Sequence, residues 1–230
     1  GLNETMRKAL QDITEGIEKR ISLSESDIVL DIGCNDGTLL RSYKSKVKLV
    51  GFEPASNLIH EAEEGTDLII NNFFSFFEFA QHFLGERIKV ITSIAMFYDL
   101  EDPNSFVTDI VNCLDQSGIW VIQMAYLIPM LELNAFDNIV HEHLEYYSLK
   151  SLKNLLESHG LEIFDVELND VYGGSFRVFV KNKKNDQIQI QNSVNEWLTK
   201  EEQFGLSEKQ IYLDFAKRVN SIKDELYDFI

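Results

Sequence analysis

The chain has 230 residues, 44% hydrophobic and 26% charged, with a formal net charge of −17. That length holds one large domain, or one domain with appendages, of ordinary globular composition. So acidic a chain repels polyanions, which argues against nucleic acid and anionic membrane as partners and suits a cationic ligand.

No apolar run reaches the roughly 18–20 residues that span a bilayer. The first residues lack the basic and apolar regions of a secretory signal, and Gly1 and Leu2 fit the remnant of an expression tag. The only cysteines, Cys34 and Cys113, show neither a disulfide framework nor zinc-finger spacing. Two reduced thiols predict a cytoplasmic protein.

In chain order, Met6, Leu10, Ile13 and Ile17 recur every three or four positions, which predicts a helix over residues 3–20 with one buried face. Residues 27–31 form a short buried strand, a glycine loop follows, and residues 38–44 restart as helix. Strands are expected at 47–52, 67–70, 88–93 and 119–124. Helices are expected at 55–64, in part of 73–84, and at 104–114 behind Pro103, with a turn at Gln116, Ser117 and Gly118. Alternating strands and helices predict a mostly parallel sheet covered on both faces.

Beyond Tyr126 the pattern changes. Residues 129–140 read as loop or short helix. Leu149, Leu152, Leu155 and Leu156 line a helix that stops at Gly160. Two strand-like runs, 161–168 and 175–181, flank Tyr172, Gly173 and Gly174 and could pair antiparallel at the sheet edge. From Gln187 the tail is helical. Phe215, Val219, Ile222, Leu226 and Phe229 make a narrow seam of the kind that packs against a partner element, and it reaches Ile230 without a stop signal. The native protein is therefore expected to continue. The division expected is a helical segment over 1–24, a main domain over 25–185 and a helical segment over 186–230.

The most informative stretch is Val29-Leu30-Asp31-Ile32-Gly33-Cys34-Asn35-Asp36-Gly37-Thr38. A buried strand delivers Asp31 to the carboxyl edge of the sheet, where open α/β sheets bind ligands. Gly33 and Gly37 let the backbone turn sharply and approach a ligand. A dinucleotide loop, G-x-G-x-x-G, needs glycines where Asn35 and Thr38 stand. An acid-x-G-x-G-x-G loop for S-adenosyl-L-methionine is met by Asp31, Gly33 and Gly37, with Asn35 in the middle position, and Cys34 lies within it. Glu53, 22 positions past Asp31, ends the second strand within Gly51-Phe52-Glu53-Pro54, where an acid accepts both ribose hydroxyls. After the third strand, Asn72 could bond the adenine and Phe73 stack on it. Phe76, Phe77 and Phe79 nearby favour the alternative of core aromatics.

The glycine loop, Gly51-Phe52-Glu53-Pro54, the segment His141-Glu142-His143-Leu144-Glu145-Tyr146-Tyr147-Ser148-Leu149 and Gly173-Gly174-Ser175-Phe176-Arg177 occur in this order. Over residues 25–230 the chain resembles the C-methyltransferases that act on deoxysugar nucleotides. The resemblance implies a class I S-adenosylmethionine methyltransferase fold, a seven-stranded, mostly parallel sheet with an antiparallel edge. Members carry an N-terminal zinc-binding domain, a central methyltransferase domain and a C-terminal α/β domain. They methylate carbon 3 of a nucleotide-linked 4-keto sugar. This chain resembles the central domain.

Methylation beside a ketone needs a base for an unreactive C–H proton and stabilisation of the resulting enolate. The family's Glu-His pair falls on Glu142 and His143. His143 is expected to be the base, with Glu142 orienting it or bonding a nucleotide-sugar-like substrate. The resemblance departs in two places: Val140 stands where members often have Tyr, and Tyr98 stands where a histidine follows strand four. A phenol still donates a hydrogen bond. His141 and His143 could pair on a metal, but no third ligand has diagnostic spacing, so no metal is expected. Tyr146 and Tyr147 read as packing residues. Arg177 fits an ion pair or a substrate contact, and Gly173 and Gly174 fit a hairpin turn. Nothing in the residues sets an oligomeric state.

Overall fold

The computed structural model describes residues 3–230; Gly1 and Leu2, read above as a tag remnant, lie outside the described residues. In chain order the elements are α1 (Glu4–Arg20), β1 (Ile28–Ile32), β2 (Lys48–Phe52), α2 (Ile59–Glu63), β3 (Leu68–Ile70), α3 (Phe76–His82), β4 (Ile88–Ile94), α4 (Pro103–Cys113), β5 (Leu114–Ala125), α5 (Leu127–Glu132), α6 (Leu149–Ser158), β6 (Leu161–Asn169), β7 (Ser175–Asn182), α7 (Asn192–Phe204) and α8 (Lys209–Phe229). Among the described residues the strands form one seven-stranded sheet in the order β3-β2-β1-β4-β5-β7-β6. Only β7 runs antiparallel, to β5 on one side and β6 on the other. The expected class I architecture with an antiparallel edge is what is found.

Side-chain alternation along the strands divides the core into two layers. Leu30, Ile91, Trp120, Ile122 and Val178 face α3, α4, α6 and α7. Val29, Val90, Ile119, Val121 and Phe179 face Ile13 and Ile17 of α1 and Ala62 of α2. Local signals set several helix ends. Asn3 caps α1 by accepting from the Met6 N–H at 2.8 Å, and Asp102 caps α4 ahead of Pro103. Ser148 and Ser151 cap each other at the start of α6. Gly160 follows α6 with φ +75°, a left-handed conformation that glycine adopts without strain.

Two local expectations change. The helix expected over 38–44 is one 3-10 turn, Leu40–Ser42. Glu18 of α1 accepts from the N–H groups of Lys44 and Ser45 at 3.1 and 2.7 Å, which holds the chain out of the next helical turn. The turn expected at 116–118 lies instead inside β5, at an irregularity of the β4–β5 register between Ile88 and Val90. A Cβ on Gly118 would meet the Lys89 and Ile88 carbonyl oxygens at 2.8 and 2.9 Å, so only glycine lets the strands approach there.

The C-terminal helices join the same body through Glu201 of α7, which is buried. Its carboxylate accepts from the Tyr126 hydroxyl at 2.9 Å, from the Lys150 N–H at 2.9 Å and from the Leu149 N–H. The last two are free donors of the first turn of α6, where a negative charge also suits the helix dipole. No described helix is long and apolar enough to cross a membrane. Replacing Glu201 by Ala strands these buried donors. Urea unfolding should show a loss of about 3 kcal/mol with little change in m-value; a loss below about 1 kcal/mol would remove Glu201 as the clamp.

Candidate active site: a donor crevice and a tautomer-fixed histidine

The loop after β1 turns on three left-handed residues, Gly33 (φ +72°), Asn35 (φ +51°) and Gly37 (φ +75°). The N–H groups of Gly33 and Cys34 both donate to the Phe52 carbonyl, at 2.9 and 3.0 Å, which ties the loop to the end of β2. Glu53 is buried there. Its Oε2 accepts from the Asn35 N–H at 2.9 Å and its Oε1 from the Ala55 N–H at 2.8 Å. A carboxylate offers about four lone-pair positions. One remains on each oxygen, the pattern needed for two neighbouring ribose hydroxyls.

The two glycines have different tasks. At Gly33 a Cβ would meet nothing closer than Met96 Cγ at 3.9 Å, so the backbone faces open space. At Gly37 a Cβ would meet the Ala62 carbonyl oxygen at 2.9 Å. Gly37, expected to approach the ligand, instead lets the loop pack against α2. Cys34 contributes its backbone, because its thiol packs under β2, 2.5 Å from where a Cβ on Gly51 would stand. Burial pushes that thiol well above the usual range, with Asp31 and Glu53 adding to the shift.

Beneath α1 lies a cavity of about 250 Å³ lined by Asp31, Gly33, Asn35, Met96 and Gln123, roofed by Met6, Leu10 and Ile13. Whole small-molecule sites run to about 300–1,000 Å³. A cavity of this size would take one end of a cofactor. The nucleoside would extend over Glu53 toward Asn72 and Phe73. Asn72 folds its Oδ1 back to the Phe73 N–H at 2.9 Å. Phe73 is 76% exposed after β3, outside the core its neighbour Phe79 joins. The open glycine, the paired lone pairs of Glu53 and the enclosed acid Asp31 fit S-adenosylmethionine.

The sequence missed the roof. Amphipathic spacing marked one face of α1 as buried, but nothing local showed that part of it covers a cavity.

Asp31 is sealed in, with its Oδ1 accepting from the Thr92 hydroxyl at 2.6 Å. Burial pushes its carboxyl up to about 7, the Thr92 bond pulls it down, and Glu53 adds to the rise.

His143 does not line the cavity beneath α1. Its Nδ1 sits 2.8 Å from the Asn138 carbonyl oxygen. A carbonyl only accepts, so Nδ1 carries the proton and the neutral ring keeps its lone pair on Nε2. The ring packs on Tyr98, with centroids 4.3 Å apart. The Tyr98 carbonyl accepts from the N–H groups of Leu144 and Glu145 at 3.0 and 3.1 Å. The His143 segment is thereby pinned to the turn that follows Met96 of the cavity. Glu142, expected to orient His143 or bond substrate, does not orient it. Its side chain is 75% exposed, with Oε1 4.0 Å from His141 Nε2. Tyr147 is buried against Phe97, as expected of a packing residue, whereas Tyr146 is partly exposed. Arg177 is buried, and its ion pairs run to Asp12 and Glu167, both at 3.0 Å. Among the described residues no cluster of three His, Cys, Asp or Glu side chains could hold a metal ion.

Comparison with known proteins bears on the family and the fold. Residues 2–166 match the family described as methyltransferase domain, and residues 170–230 match the C-methyltransferase C-terminal domain. The chain is 31% identical over 221 residues to C-methyltransferase NovU of Streptomyces niveus, covering 92% of this chain and 51% of that protein. It thus spans about half the length of that relative. Among solved structures, the N-methyltransferase NodS from Bradyrhizobium japonicum superposes with TM-score 0.58 at 15% identity, over 80% of this chain and 100% of that one. The plantazolicin methyltransferase BpumL, in complex with a pentazolic desmethylPZN analog and SAH, gives 0.59 at 14%, over 78% and 86%. At such identities these two establish the fold.

Asp31 generates a prediction. Between the ordinary 3.8 and about 7 the folded protein holds a proton that the unfolded chain lacks. Asp31 therefore favours folding at the acid end of that window, and this contribution is lost as pH rises through about 7. A cationic cofactor end reverses the preference, because it favours the carboxylate. Titration calorimetry at pH 6, in buffers of different ionisation enthalpy, should register close to one proton released per S-adenosylmethionine bound. Asp31→Asn should release none; equal release by both would refute the assignment.

The chain belongs to the methyltransferase-domain family, whose methyl donor is S-adenosylmethionine.

Proposed function

We propose that this chain methylates a carbon next to a ketone in a nucleotide-linked deoxysugar, through an enolate generated by His143. The observation that carries this reading is the fixed tautomer of His143. Its Nδ1–H is committed to the Asn138 carbonyl, leaving Nε2 to take the C–H proton. The named activity of NovU, C-methyltransferase, supports carbon as the acceptor.

S-adenosylmethionine, when bound, supplies an electrophilic methyl on a sulfonium centre. The chain's residues do the rest. His143 Nε2 takes the proton from the substrate carbon and becomes imidazolium, a cation stabilised at Nδ1 by the Asn138 carbonyl. The C–H electron pair delocalises onto the ketone oxygen. Tyr98, whose ring packs on His143, is assigned to that oxygen as a hydrogen-bond donor. Glu142, exposed beside the base, is assigned to substrate hydroxyls. Glu53 and the Gly33 loop hold the donor, and α1 keeps water from its far end.

His143→Asn should lower turnover by about 100-fold or more, while S-adenosylmethionine affinity changes less than about threefold. With wild-type enzyme and a panel of nucleotide-linked keto sugars, product NMR should show a new C–CH₃ signal. An O–CH₃ product, or full turnover by His143→Asn, would overturn the proposal.

A further inference from the structure

Gln123 lies near the carboxyl end of β5, on the same sheet face as Asp31 and Thr92, beneath α1. It is 3% exposed and lines the donor cavity. Its amide orientation is fixed by a chain of donors. The Val171 N–H donates to Asn169 Oδ1 at 3.1 Å, so Asn169 turns its Nδ2 to Gln123 Oε1 at 3.2 Å. Arg177 Nε, which only donates, reaches the same Oε1 at 2.8 Å. Both acceptor positions of Gln123 are therefore filled. Its Nε2, with two N–H donors, has no partner among the described residues.

Arg177 is itself fully committed. Beyond Gln123, its Nη1 donates to Glu167 at 3.0 Å and its Nη2 to Asp12 of α1 at 3.0 Å. Its charge is balanced, so it steers Gln123 without itself becoming an anion site. A planar guanidinium with three separate partners is rigid, and that rigidity passes to the Gln123 amide.

We propose that Gln123 binds the carboxylate of the donor's amino-acid end through Nε2, and that Arg177 is its positioning residue. A buried amide presenting only donors into a cavity selects an acceptor, and a carboxylate is the strongest acceptor the cofactor offers. Asp31, two strands away across β4 and lining the same cavity, takes the opposite sign, so the cavity reads an amino acid by both its charges. Asp12 links this arrangement to α1, the cavity's roof.

The inference rests on S-adenosylmethionine as cofactor and not on the acceptor sugar, and its test uses binding alone. Two ligands separate the claim: S-adenosylhomocysteine, which has the amino-acid end, and 5′-methylthioadenosine, which lacks it. Calorimetry on wild type should show the first binding more tightly. Gln123→Glu keeps acceptors for Arg177 and Asn169 but turns an acceptor into the cavity. It should weaken S-adenosylhomocysteine about 30-fold or more while changing 5′-methylthioadenosine less than about threefold. Gln123→Met should act in the same direction without added charge. Arg177→Lys retains charge but loses the planar Nε donor, and should lower the preference between the ligands. Equal losses for both ligands, or unchanged S-adenosylhomocysteine binding by Gln123→Glu, would overturn the inference. Failure of wild type to bind either ligand would overturn the cofactor assignment with it.

Discussion

The site depends on one buried carboxylate holding a loop open. Glu53 closes β2 and takes the N–H groups of Asn35 and Ala55, one on each oxygen. Those bonds, with the donation of Gly33 and Cys34 to the Phe52 carbonyl, keep the β1 loop against the neighbouring strand end. Without them the left-handed turn at Gly33 and Asn35 would have little to fix it. Each Glu53 oxygen keeps one further lone pair, which on our proposal meets a ribose hydroxyl. The backbone donor on each oxygen explains why a buried acid is tolerated there.

A second carboxylate, Asp31, is held differently. Its partner is the Thr92 hydroxyl, and burial keeps its proton affinity high. The polar row Asp31, Thr92, Gln123 and Arg177 crosses β1, β4, β5 and β7 on the face beneath α1, while the hydrophobic part of that face begins below it. Arg20 completes the arrangement. It bonds Asp165 and Glu167 at 2.6 Å and stacks over Phe179, with 3.9 Å to the ring centroid. Glu167 thus bridges Arg20 and Arg177. Breaking such a partly buried network by removing one partner typically costs about 3–5 kcal/mol. Its placement at the junction of α1 with the sheet ties the roof of the cavity to the fold.

Much of this was legible in the residues. Strand and helix alternation predicted the sheet, and β6 and β7 paired antiparallel as their pattern suggested. The acid-glycine loop and Glu53 meet as their spacing suggested because the geometry is local: a few consecutive residues make the turn, and one acid ends the next strand. What sequence could not show are contacts between residues far apart in the chain. Glu18 ends the turn at Leu40–Ser42 from 26 positions away. Gly37 has a glycine's conformation for packing on Ala62, a reason invisible without α2 in place. Arg177 read equally well as an ion pair or a substrate contact, and only the fold brings Asp12, 165 positions earlier, to it. The resemblance paired Glu142 with His143, whereas the contact on the His143 ring is the Asn138 carbonyl, five residues earlier.

The central claim is that the crevice from Gln123 past Gly33 to Glu53 is the seat of the methyl donor. A crystal structure of the protein with S-adenosylhomocysteine tests it most directly. The account predicts ribose hydroxyls within hydrogen-bond distance of both Glu53 oxygens, the amino-acid end under α1, and adenine beside Phe73. A nucleoside bound elsewhere, or a cavity beneath α1 that stays free of the ligand while the nucleoside is held, would contradict it.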